Sequence, residues 1–292
     1  MSLELVDLPG TPLATGFSFV EGPRWHDGAV YVTHIFDDAV ERVELDGSVT
    51  RVVDLPGSPI STSFTSHGTM LVCGMSVGKI WRVMDGRATE WVDLALLDDD
   101  DDWGDLVVDE QDTVYVANQG FSFPGRMPSL EEWNSSIYRI GADGVPQLLA
   151  DGFLYANGLA ITPDGAWLCV AESFGHRLWR LPIRGDGTLG ARELVVQFEE
   201  EHRPDGLCSD AEGALWSANA TSHEVVRCTL EGEITDRIST GDQLAIGCIL
   251  GGADGRDLFI TTAPTAHRAE AEQLRSSSVW LLRADVPAGG RP

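Results

Sequence analysis

Positive charge is scarce in this chain. Twenty Lys and Arg stand against 46 Asp and Glu over 292 residues, a formal net charge of −26. A field of that sign repels nucleic acid and anionic bilayers, so neither is an expected partner, and most of the charge reads as colloidal solubility. Long apolar runs are also missing: no stretch approaches the roughly 18–20 uninterrupted apolar residues of a membrane-spanning helix. The opening residues MSLELVDLPG lack the basic start and apolar core of a secretory leader. The cysteines Cys73, Cys169, Cys208, Cys228 and Cys248 are odd in number, form no C-x-x-C, and lie mostly in apolar, strand-like runs. They read as reduced core thiols, which suits the cytoplasm. The histidines are scattered, with no H-E-x-x-H or H-x-H pair. No zinc-hydrolase helix is therefore expected, and no serine nucleophile elbow either.

Glycine, in contrast, is abundant at 32 residues, which favours many turns over long helices. The turns recur in register. Residues 157–171 (NGLAITPDGAWLCVA), 205–218 (DGLCSDAEGALWSA), 104–117 (GDLVVDEQDTVYVA) and 21–32 (EGPRWHDGAVYV) share one frame. Each has a small or polar pair, a short apolar strand, an Asp/Gly-rich corner and a second apolar strand. Weaker copies start at Ser61 and Cys248. A third strand follows each copy (AVERVEL at 39–45, KIWRVM at 79–84, RLWRLPI at 177–183), and in most copies a second turn and a fourth strand close the unit. Starting points at 21, 61, 104, 157, 205 and 248 lie 40 to 53 residues apart. Four strands repeated six times at this period predict an all-β, six-bladed β-propeller of four antiparallel strands per blade, occupying 1–292 as a single domain. The sixth copy lacks a fourth strand, and residues 11–16, TPLATG, resemble the fourth strand of another copy, VPQLLADG at 145–152. The N-terminal strand is expected to close the ring there and so remove an open edge.

In a propeller the first strand of each blade lines the central channel. Position one of the copies holds Glu21, Ser61, Gly104, Asn157, Asp205 and Cys248. Rotation about the axis gathers three oxygen-bearing side chains, Glu21, Asn157 and Asp205, at one mouth. Two carboxylates in a closed space repel unless a cation or a proton lies between them, and an all-oxygen set suits a hard divalent ion. The alternative is that each polar pair merely caps a strand or makes an Asx-turn.

These motifs carry a resemblance. Glu21-Gly22-Pro23, Asn157-Gly158 with Pro163-Asp164-Gly165, Pro204-Asp205-Gly206, and Gly251-Gly252 with Leu258-Phe259-Ile260-Thr261 are together similar to the SMP-30/gluconolactonase/LRE-like family. Each motif is weak alone; their order and spacing across the chain are specific. The resemblance implies a six-bladed propeller holding one divalent metal ion on Glu21, Asn157 and Asp205, with Ca²⁺ foremost and Zn²⁺, Mg²⁺ or Mn²⁺ as alternatives. It implies a metal-dependent lactonase, a carboxylic ester hydrolase acting on a small-molecule lactone or ester. The metal polarises the lactone carbonyl, and Asp205 or the metal activates the attacking water. Hydrolysis of another ester or a phosphotriester, or calcium or ligand binding without turnover, are the alternatives.

One departure stands out. The family's usual Asn-Asp pair is Gly104-Asp105 here, preceded by Asp102 and Trp103. A water, the substrate or Asp105 is expected to fill the gap. Trp103, Gly104, Asp105, Asn118 and Phe121 are the candidate substrate-binding residues, and with Phe123 they suggest a wider pocket for a bulkier, more apolar substrate. Residues 119–135 are expected to hold the extra length of the third copy, as a cover over the substrate or an inert excursion. His34 and Tyr155 are secondary candidates for the mouth, and a core role is as consistent for Tyr155. His26 and His67 are expected on surface turns, and the run Asp98–Asp102 reads as a solvated loop.

Overall fold

The computed structural model describes residues 5–97, 101–122 and 128–291. Six four-stranded sheets form a ring, and within each the chain runs from the innermost strand outward. The inner strands are Val20–His26, Pro59–Phe64, Trp103–Val108, Ala156–Ile161, Pro204–Ser209 and Leu244–Gly251. Burial grades outward. Trp103–Val108 is buried throughout, whereas the outermost strand of the same blade, Pro146–Phe153, is largely exposed. The sequence follows this gradient: near-continuous apolar runs where a strand is covered on both faces, alternation where one face meets water. Neighbouring blades pack face to face, as where Trp25 of blade one stacks on Phe259 of blade six at 5.4 Å.

Ring closure follows the expected route. Ala14–Phe17 pairs antiparallel with Ser277–Arg283 as the outer strand of blade six. A second device has no counterpart in the sequence pattern: Leu5–Asp7 adds a parallel fifth strand to Ile234–Ser239 of blade five. The N-terminal segment thus ties two adjacent blades.

Every inner strand carries a one-residue bulge near its start. The register there corrects the repeat alignment. Gly104, Asn157 and Asp205 each follow a residue paired to the end of the second strand, and so does Glu21. In blade two that place belongs to Ile60, not to Ser61; in blade six the bulge follows Ala245, paired to Thr262 one residue short of the strand's end, so the place falls on Ile246, not on Cys248. Glycine contacts across the ring give the same alignment. A Cβ on Gly158 would collide with the Asp205 carbonyl, one on Gly206 would lie 2.7 Å from Gly247 Cα, and one on Gly22 would lie 2.8 Å from the Ile60 carbonyl. Only glycine lets the inner strands approach this closely, and that approach brings the preceding residues, Glu21, Asn157 and Asp205, to one mouth. Gly206→Ala is therefore expected to destabilise the fold by about 1–3 kcal/mol through overpacking against rigid backbone; equilibrium urea unfolding measures it.

Candidate functional site

The mouth ring reads Glu21, Ile60, Gly104, Asn157, Asp205 and Ile246 in blade order. Ile60 and Ile246, which sit in one apolar cluster with Phe19 and Ile35, flank Glu21 of blade one. The polar side chains of the ring are Glu21 and, from the opposite side, Asn157 and Asp205. Asn157 is held from behind: its Nδ2 donates to Ser173 Oγ at 3.2 Å, and that hydroxyl donates to the Pro204 carbonyl at 2.6 Å. The same amide lies beside the Asp205 carboxyl and lowers its pKa. With Nδ2 bound to Ser173, the amide oxygen of Asn157 is left as an acceptor.

Electrostatics mark the two carboxylates as mutually strained. Burial pushes the Glu21 carboxyl well above the ordinary range, and the negative charges of Asp205 and Asp105 push it further, against the opposing pull of Arg24. Burial likewise raises Asp205 to about 8, with the Asn157 amide acting the other way. Asp205 Oδ1 is buried and has no hydrogen-bond partner among the described residues. A buried carboxylate oxygen without a donor is costly unless a cation or proton meets it. Tyr155 adjoins these acids. Its backbone has φ +67°, and its phenol is driven well up in pKa by burial and by Asp205, Glu21 and Asp102. Its ring packs edge-on to Trp133 and Phe174, and Phe121 lies 5.7 Å from it. The result is an aromatic wall beside the acids.

The expected substrate-binding residues separate under this geometry. Phe121 belongs to the aromatic wall. Trp103 does not face the mouth: it is fully buried in the core with Ile80, Leu94 and Tyr138. Its indole packs between blades, beside Gly78 of blade two. Asp105 does not fill the space at Gly104. Its Oδ1 accepts from Arg24 Nη2 at 2.6 Å and from the Leu106 amide, and its Oδ2 accepts from the Leu159 amide at 2.9 Å. It is a spoke within the channel joining blades one, three and four. Asn118 is turned into its own loop, accepting from the Gly120 amide at 2.9 Å. The space beside Gly104 is occupied by the Gln119 side chain, whose Cγ and Nε2 lie 3.5 Å from where a Cβ would stand. Phe123 and residues 124–127 of the expected cover lie outside the described residues.

Three further expectations change. His34 is buried away from the mouth, with Nε2 against Ser18 and Nδ1 3.1 Å from Glu41. Of the acidic run, Asp98–Asp100 lies outside the described residues, but Asp102 is a buried residue accepting from Ser122 Oγ at 3.0 Å, not part of a solvated loop. Gly74-Met75-Ser76-Val77-Gly78 does match the letters G-x-S-x-G; it spans the turn between two strands of blade two, with only Ser76 exposed and no strand-to-helix elbow. Sequence reasoning missed Arg24, Ser173 and Gln119. Arg24 was within sight, adjoining Glu21-Gly22-Pro23, and Gln119 opens the expected cover over 119–135 without a role of its own there; nothing in the sequence pattern marks Ser173.

Among the described residues no group of three or more His, Cys, Asp or Glu is placed to hold a metal ion, and the candidate set is two carboxylates and one amide. No helix of the described residues is long and apolar enough to cross a membrane. Fold and site thus define a class: a six-bladed propeller with an acid–amide cluster at one mouth of its channel. Residues 19–264 match the SMP-30/Gluconolactonase/LRE-like region, and the chain belongs to that family. It is 32% identical over 160 residues to a 6-deoxy-6-sulfogluconolactonase from Pseudomonas putida, a match covering 53% of this chain and 55% of that protein. It is 27% identical over 280 residues to the pentonolactonase XacC of Haloferax volcanii, covering 93% of this chain and 92% of the other. Among solved structures, a calcium-binding regucalcin from Agrobacterium tumefaciens superposes with TM-score 0.84 at 19% identity, covering 99% of this chain and 98% of that one; it shows the shared fold.

Proposed function

We propose that the protein is a cation-dependent lactonase, with the whole chain acting as one domain. Glu21, Asn157 and Asp205 would hold a single divalent cation, Ca²⁺ foremost. The observation that carries the reading is the partnerless buried Asp205 Oδ1 beside a second carboxyl of raised pKa. Both are relieved by a hard cation, and the donors are all oxygen, the chemistry Ca²⁺ and Mg²⁺ prefer over Zn²⁺. The lactonases among its relatives support the reaction class. When bound, the cation supplies positive charge where the lactone oxygen becomes negative.

The chain's own groups do the rest. Asp205 is the base that accepts a proton from the attacking water; burial raises its basicity and a bound cation would lower it, so a water activated by the cation would be the competing nucleophile. Asn157, fixed through Ser173, stands beside the Asp205 carboxyl. The aromatic wall of Tyr155, Trp133 and Phe121 excludes water from one side. Five buried, unpaired cysteines accord with a cytoplasmic protein.

The test is acid release in a pH-stat from a panel of lactones, aryl esters and phosphotriesters, with and without chelator. Release from lactones that EDTA abolishes and added Ca²⁺ restores is expected. Release from aryl esters or phosphotriesters alone replaces this substrate class, and calcium binding without any turnover replaces the enzyme by a binding protein.

A further inference from the structure

Blade three is the one blade whose ring position brings no side chain to the mouth. Glu21, Asn157 and Asp205 project from their positions; the register-equivalent residue between Asp102 and Asp105 is Gly104. The space is not empty. The Cγ and Nε2 of Gln119 lie 3.5 Å from the place of the missing Cβ. Gln119 is held there by its backbone. Its amide donates to the Asp102 carbonyl at 2.8 Å, and its carbonyl accepts from Trp133 Nε1 at 2.9 Å. The side chain itself is uncommitted: the residue is 2% exposed, yet Oε1 has no hydrogen-bond partner among the described residues. A buried amide left without a partner is a group kept for a ligand or destabilising for no return.

We infer that Gln119, one residue past the end of the second strand of blade three, presents to the mouth the carboxamide that Gly104 lacks, and hydrogen-bonds a hydroxyl group of the substrate. A carboxamide offers both a donor and an acceptor, which matches an alcohol, itself both. The substrate class it selects is a lactone bearing hydroxyls on or beside the ring, over its unsubstituted counterpart. This rests on the lactonase reading above and adds to it the residue that discriminates among lactones.

The experiment compares glucono-δ-lactone with δ-valerolactone, which has the same ring size and no hydroxyls. For Q119L, kcat/KM on the hydroxylated lactone is expected to fall about 10-fold, chiefly through KM, with the unsubstituted lactone unchanged. Calcium affinity by calorimetry and Tm are expected to match wild type. Should Q119L fold poorly, Q119A is read on the same pair. Q119A combined with Gly104→Asn, which returns an amide from the ring position into the vacated space, is expected to recover most of the loss. Equal effects on both lactones, no effect on either, or no recovery in the double variant overturn the inference while leaving the lactonase reading intact. A wild-type protein inactive on both lactones overturns the lactonase reading, and this inference with it.

Discussion

Asp205→Asn is expected to lower lactone kcat by about 10³-fold or more, the range seen when a positioned base is lost, and to weaken Ca²⁺ binding. The same substitution is expected to stabilise the cation-free protein. The reason is linkage. The folded-state pKa of Asp205 is about 8, well above the ordinary carboxylate value near 4. Over that interval the unfolded chain is ionised while the folded protein retains the proton, so the folded state binds more protons and loses stability as pH rises from about 4 to about 8. Asparagine carries no such charge. Thermal melts in EDTA should show the variant above wild type at pH 8, with the difference closing toward pH 4. Calcium should reverse the order at pH 8, because it stabilises the wild-type site more. A variant no more stable than wild type in EDTA at pH 8 would mean that the two carboxyls are not confined together.

The second large effect concerns the channel interior. Arg24 crosses from blade one to Asp105 and to the Leu106 carbonyl of blade three, with both charged side chains almost wholly buried. Arg24→Met leaves the Asp105 carboxylate buried without its counter-charge, and a loss of about 3–5 kcal/mol of stability is expected at neutral pH. Burial already raises the Asp105 pKa, against the lowering effect of Arg24; removing the guanidinium raises it further. A carboxyl whose folded pKa is raised destabilises the fold as pH rises, so the penalty should shrink in acid, where Asp105 is protonated. Arg24→Met with Asp105→Asn should recover much of the loss at pH 7. Urea unfolding of wild type, both single variants and the double variant gives the coupling directly. A coupling near zero would show that the pair is dispensable to the fold.

Much of this architecture was legible in the sequence because it is periodic. Alternating apolar strands, Asp-Gly corners and a 40- to 53-residue spacing each report a local preference, and local preferences add up over six copies. The placing of Asn157 and Asp205 was legible for the same reason, since the glycine after each marks where inner strands crowd together. Legibility failed where a side chain's direction depends on a bulge. The alignment set Ser61 and Cys248 on the ring, but the ladder puts Ile60 and Ile246 there. Trp103, adjacent to a ring position, turns into the core instead of the pocket.

Sequence by itself determined the blade count and the strand that closes the ring, because these follow from the repeat alone, and it put Glu21, Asn157 and Asp205 forward as the set at the mouth. The tertiary structure decided which groups surround them: that Asp105 is tied to Arg24, that Asn118 folds into its own loop, and that Gln119 fills the space at Gly104. Those are contacts between segments distant in the chain, set by the packing of one blade against the next, and no periodicity along the chain encodes them.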